Sequence, residues 1–62
     1  MYLNHIYQDQ KGELYISLYS AEQTETKETY IVYFKVDDKS KVLVTPQEEF
    51  LKNFRHHNPH NL

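Results

Sequence analysis

Two stretches of this chain alternate with a period of two, and that pattern leaves little room for anything but β-strands. In residues 14–19, Leu14, Ile16 and Leu18 fall on one face while Tyr15, Ser17 and Tyr19 fall on the other. In residues 30–36, Tyr30, Val32, Phe34 and Val36 share a face opposite Ile31, Tyr33 and Lys35. Residues 2–8 are also rich in β-formers and run into Asp9-Gln10-Lys11-Gly12. That order reads as a hairpin loop, with Gly12 taking a positive φ that a Cβ would disfavour. Residues 21–29 are polar and read as a longer connection. Asp37 to Ser40 reads as a turn, and residues 41–44 as a short returning strand.

A helix signal follows. Thr45-Pro46-Gln47-Glu48 places a capping Thr before Pro at the first helical position, with Glu at the third. Phe50, Leu51 and Phe54 make one apolar stripe, and Glu48 stands four residues before Lys52. Arg55 and His56 suit the negative end of the helix dipole, and Asn58-Pro59 ends the helix.

The expected architecture is mainly β. A four-stranded antiparallel meander (about 2–8, 13–20, 30–36 and 41–44) is followed by one short C-terminal helix (about 46–55). Residues 56–62 are expected to form a flexible tail outside a single domain spanning 1–55. Because the later strands carry apolar residues on both faces, the sheet is expected to curl into a small SH3-like barrel with the helix plugging one end.

Sixty-two residues without a single cysteine permit one domain with no disulfide and no thiolate zinc site. A chain of this size buries only about 60% of its unfolded surface, so either the fold is well idealised or a partner covers part of it. Seven basic residues against nine acidic ones argue against a nonspecific nucleic-acid binder, which needs a cationic surplus. One glycine argues against phosphate-cradling loops. No apolar run approaches the ~20 residues of a membrane helix, and the start lacks a signal-peptide pattern, so a cytoplasmic protein is expected.

From Gly12 onward the pattern resembles a bacterial family, domain-of-unknown-function family 1653. Lys11-Gly12 is followed by Tyr15, Ala21 precedes Thr24-Glu25-Thr26, and Ile31-Val32-Tyr33 stands where the family has Val-Val-Tyr. Pro46 and Phe50 keep the family's four-residue step. The chain departs from the family where Gln23 replaces His, Leu43 replaces Trp and Thr45 replaces Arg. The resemblance implies an SH3-type barrel and no particular activity.

Candidate chemistry is sparse. His56, His57 and His60 have a spacing that suits zinc, but Pro59 interrupts it, and His5 reads as a solvent-facing strand residue. Glu22, Glu25 and Glu28 read as a solvated loop rather than an acid–base pair. Ser17, Ser20 and Ser40 have no elbow motif and no histidine at a motif spacing. No catalytic residue, metal site or cofactor is expected.

The surplus is tyrosine, six in all. Strand parity expects Tyr15, Tyr19 and Tyr33 on one face, as the binding surface of a noncatalytic interaction module that docks a protein partner or a second copy. The alternative is a binder of single-stranded nucleic acid or nucleotides that stacks bases on the same rings. The competing structural reading buries those rings in the core.

Overall fold

The computed structural model describes residues 1–57. Five antiparallel strands form one sheet: β1 (Ile6–Gln8), β2 (Leu14–Glu22), β3 (Thr29–Lys35), β4 (Asp38–Pro46) and β5 (Arg55–His56). A single helix, α1 (Gln47–Asn53), lies between β4 and β5. The domain is mainly β, with a meander through β1 to β4 and one short helix near the C-terminus.

The sheet order is β4-β3-β2-β1-β5. β4 and β5 are its two edges and do not pair with each other, so the sheet is open and the expected closed barrel is not formed. α1 covers one face instead of plugging a barrel end. Seven residues of helix, about 10 Å, cannot shield both sides of a sheet.

The hairpins follow the sequence closely. Asp9 closes the β1–β2 loop: its Oδ1 accepts the amides of Lys11 and Glu13, each at 2.9 Å, and its Oδ2 accepts the Tyr15 hydroxyl at 3.1 Å. Gly12 sits at φ +92°, the positive value its place in the turn requires. In the β2–β3 connection the Gln23 side-chain oxygen accepts the amides of Glu25 and Thr26 at 2.7 Å each. Lys27 takes φ +64° in the same loop.

The end of the chain differs from its sequence reading. The helix is shorter than expected because β4 continues to Pro46, which pairs with Tyr30. Thr45 is therefore a strand residue and not the helix cap. Pro46 holds the N-cap position with no side-chain cap bond. The Thr45 hydroxyl lies 2.7 Å from the hydroxyl of Tyr33 instead. After Phe54 the chain turns extended, and β5 pairs with β1 through Tyr7↔His56 and Gln8↔Arg55. His56, read as the start of a tail, is thus part of the sheet. Residues 58–62 of that expected tail lie outside the described residues.

The core sits between α1 and one sheet face. Tyr7, Ile31, Tyr33 and Phe50 are buried, with Tyr15, Leu43 and Phe54 packed against them. The rings meet edge to face, Tyr33–Phe50 at 5.1 Å, Tyr7–Phe50 at 5.2 Å and Tyr15–Phe54 at 5.1 Å, while Phe50 stacks on Phe54 at 4.3 Å. Such pairs contribute about 0.5–1.5 kcal/mol each beyond the area they bury. This is how a chain without a disulfide holds one helix on a sheet.

Candidate interaction face

Residues paired directly across antiparallel strands lie on the same face of the sheet, so the register divides the side chains into two sets. One set is the covered face, with Tyr7 opposite Tyr15, Ser17 opposite Tyr33 opposite Leu43, and Ile31 opposite Thr45. The other set faces away from α1. It has four rows across the sheet: Arg55-Gln8-Leu14, Ile6-Ile16-Phe34-Val42, Tyr19-Val32-Val44, and Ala21-Tyr30-Pro46. The last three contain no charged residue, and Arg55 stands at the β5 edge of the first.

The core is therefore on the face of β3 that carries Tyr33, the face expected to be the binding surface. Ile31 and Tyr33 lie under the helix, and Val32 and Phe34 are on the open side. Both sets are apolar, so periodicity alone gave no basis for choosing between them.

The three tyrosines are not on one exposed face. Tyr15 and Tyr33 share the covered face with ring centroids 5.6 Å apart, and Tyr33 is only 6% exposed. Tyr19 is on the open face and is 58% exposed. The cause is a bulge. The register jumps between Ser17 and Tyr19, Leu18 is the additional residue, and every side chain beyond it changes face. The open face also exposes Val42 at 55% and Val44 at 61%, both missed by a reading that looked only for tyrosine. The signal present in the sequence was an edge strand carrying Val42 and Val44 beside a β3 apolar on both sides.

Tyr30 closes one end of the open face. Its hydroxyl donates to Glu28 Oε1 at 3.3 Å, and the neighbouring carboxylate pushes the phenol above its ordinary range. Val32 is buried although it is on the open side, because Tyr19 and Val44 flank it in its row.

The histidines assemble differently from the sequence reading. His5 Nδ1 and His56 Nε2 are 2.8 Å apart, one ring nitrogen donating and the other accepting. Tyr2 packs on both rings, 5.0 Å from His5 and 4.9 Å from His56. The Tyr2 amide donates to the Tyr7 hydroxyl at 3.1 Å, and Ser17 Oγ, fully buried, donates to the Tyr2 carbonyl at 2.8 Å. Together these contacts pin the N-terminal segment to β5. His60 lies outside the described residues, and among the described residues no three His, Cys, Asp or Glu side chains group as metal ligands.

A cleft of about 450 Å³ is lined by Asp9, Lys11, Glu13, Tyr15, Lys35 and Phe54, among others. Burial alone would raise the Asp9 carboxyl. The amides of Glu13 and Lys11 and the Tyr15 hydroxyl outweigh that and hold it below its ordinary range. Burial, with the Asp9 carboxylate beside it, pushes the Tyr15 hydroxyl up, so Tyr15 stays protonated at neutral pH. Lys35 pairs with Glu13 at 3.5 Å. The carboxylates and Lys35 thus already have partners, and the pairing serves the hairpin rather than acid–base chemistry.

Over residues 5–60 the chain matches the model of a protein family of unknown function, DUF1653. The chain belongs to that family. The match begins at His5, so family 1653 takes in β1 as well as the region from Gly12 onward that carries the resemblance. No curated protein and no solved structure matches the chain. Gln23 closes the β2–β3 loop, and Leu43 packs on the core.

Proposed function

We propose that the protein is a noncatalytic interaction module whose docking surface is the open sheet face carrying Tyr19, Val42 and Val44. One observation carries this reading: three adjacent cross-strand rows on that face contain no charged residue, and Tyr19, Val42 and Val44 in them are more than half exposed. An antiparallel sheet with one wet face normally alternates apolar-in and polar-out. β3 does not, since Val32 and Phe34 back onto Ile31 and Tyr33. An extended uncharged patch of this kind marks a contact surface.

Tyr19 retains the binding role expected of it, and Tyr15 and Tyr33 become the floor of the core behind the sheet. The nucleic-acid alternative loses two of its three stacking rings to that core, and among the described residues the open rows offer phosphate one cation, Arg55 at the β5 edge.

A photo-crosslinking residue placed at position 44 in the full chain tests the proposal in cells, with the same residue at exposed Leu51 on α1 as control. Protein adducts, including adducts to the chain itself, are expected from position 44 and not from 51. Equal yields from both positions would refute the assignment of the face.

A further inference from the structure

The first five residues are held to the domain by a small set of bonds, and one of these depends on protons. Asn4 takes a left-handed φ of +60°, which Asn tolerates, and bends the segment ahead of β1. Its amide donates to the Ser17 carbonyl at 2.6 Å, and the Ser17 amide donates to the His5 carbonyl at 3.0 Å. The side-chain tie to β5 is the His5–His56 pair. The facing nitrogens are 2.8 Å apart and the ring centroids 5.0 Å, so the two rings meet edge to edge with the bond in line. Tyr2 packs against both rings, and the Tyr7 ring stands 5.3 Å from His56.

A neutral imidazole has one N–H and one lone pair, so the pair bonds when both rings are neutral. It also bonds with one added proton, because the neutral ring still accepts. With both rings protonated every ring nitrogen carries a hydrogen, no acceptor is left, and two like charges face each other. No neighbouring anion offsets them. The N-terminal segment brings the Met1 amino group and the Tyr2 hydroxyl, β1 the Tyr7 hydroxyl, and the β5 end Arg55 and His57; residues 1–8 and 55–57 contain no carboxylate. On β2, Ser17 does not titrate and the Tyr15 hydroxyl is taken up by Asp9. Among the described residues, Glu22 of β2 and Glu48, Glu49 and Lys52 of α1 form no ion pair with either ring.

We infer that the His5–His56 pair is a proton-operated latch, which holds residues 1–5 against β5 at neutral pH and releases them in mild acid. The latched pair holds at most one added proton and the released pair holds two, so the equilibrium moves toward release as the pH falls. The window is the span between about pH 5 and pH 8 in which imidazole as a class changes charge. It lies above that of Asp9, whose carboxyl is held below 3.8, so the segment leaves a sheet that is still folded. Release frees the Tyr2 ring and bares Tyr7, which is 3% exposed while the latch is closed.

Amide exchange with water in the full chain, read by nuclear magnetic resonance as protection factors at about pH 7.5 and about pH 5, tests the latch across that window. Protection of the Asn4 amide should fall about fivefold or more at the lower pH, the effect of one lost hydrogen bond. The Val36 amide, which donates to the Leu14 carbonyl, should keep its protection. His56→Gln places an amide where Nε2 stands, cannot take a charge, and still accepts from a protonated His5. That variant should keep the Asn4 protection at both pH values, and His5→Asn should do the same from the other side of the pair. Equal Asn4 protection at both pH values in the wild type would overturn the inference. So would a loss that Val36 shares in full, which is unfolding of the whole domain, or a fall that either folded variant retains.

Discussion

The two faces of this sheet are made of similar residues and do different things. The covered face holds Tyr7, Ile31 and Tyr33 against Phe50, with the tyrosine hydroxyls hydrogen-bonded at its margins: Tyr33 to Thr45, Tyr15 to Asp9 and Tyr7 to the Tyr2 amide. The open face carries Tyr19, Val32, Val42 and Val44, and Tyr19, Val42 and Val44 are exposed among the described residues. Composition does not separate the faces. What separates them is α1, whose Phe50, with Phe54 just past its end, reaches only one side. Apolar content therefore decides that a sheet needs covering, and the placement of one short helix decides which half a single chain covers for itself.

Substitutions on the covered face should produce the largest losses of stability. Phe50→Ala removes the ring that joins Tyr7, Tyr33 and Phe54, and should cost about 3–5 kcal/mol. Small domains have little more than that in total. The variant should lack a cooperative thermal transition by circular dichroism. Tyr33→Ala should come next, about 3 kcal/mol or more, because its ring contacts Tyr15, Phe50 and Phe54 together. Tyr33→Phe should cost only about 1 kcal/mol, the contribution of the bond to Thr45. A Tyr33→Ala domain that melts like the wild type would place that ring outside the core.

Thr45→Val should cost about 1 kcal/mol through the same hydroxyl pair. If Thr45 stabilised the helix start instead, its loss would add to that of Tyr33→Phe. The double variant should therefore be no less stable than the worse of the two single ones, as a denaturant double-mutant cycle would show.

Acid should act on the β1–β2 hairpin. The folded Asp9 carboxyl lies below its ordinary value of 3.8, so its contribution is complete above that pH and is lost as the pH falls through the lowered value. Melting temperature measured against pH should decline in this window, and Asp9→Asn should flatten that part of the curve. A curve unchanged by the substitution would assign the acid sensitivity to other carboxylates.

Much of this was legible in the sequence. The alternation in residues 14–19 and 30–36 located β2 and β3, Gly12 marked its turn, and Pro46 marked the approach of the helix. The side of the sheet was not legible, because β3 reads Tyr-Ile-Val-Tyr-Phe and offers an apolar set in both parities. The bulge at Leu18 leaves no trace in a period-2 pattern, yet it moves Tyr19 to the face opposite Tyr15. β5 is two residues long, too short for any periodicity, and it is fixed by partners far away in sequence, Tyr7 and His5. Thr45 matched a capping box, but continued pairing of β4 with β3 carried it into the sheet first. In each case a long-range partner decided among locally equivalent options.

The smallest expected effect on folding belongs to the open face. Broadening of methyl and ring signals by a soluble paramagnetic chelate, measured on the folded chain at a dilution where it is monomeric, reads both faces directly. The account predicts strong broadening of the Val42 and Val44 methyl groups and the Tyr19 ring, and little of Ile31, Tyr33 and Phe50. Broadening of Ile31 and Phe50 as strong as that of Val42 and Val44, in a sample shown to be folded, would contradict it.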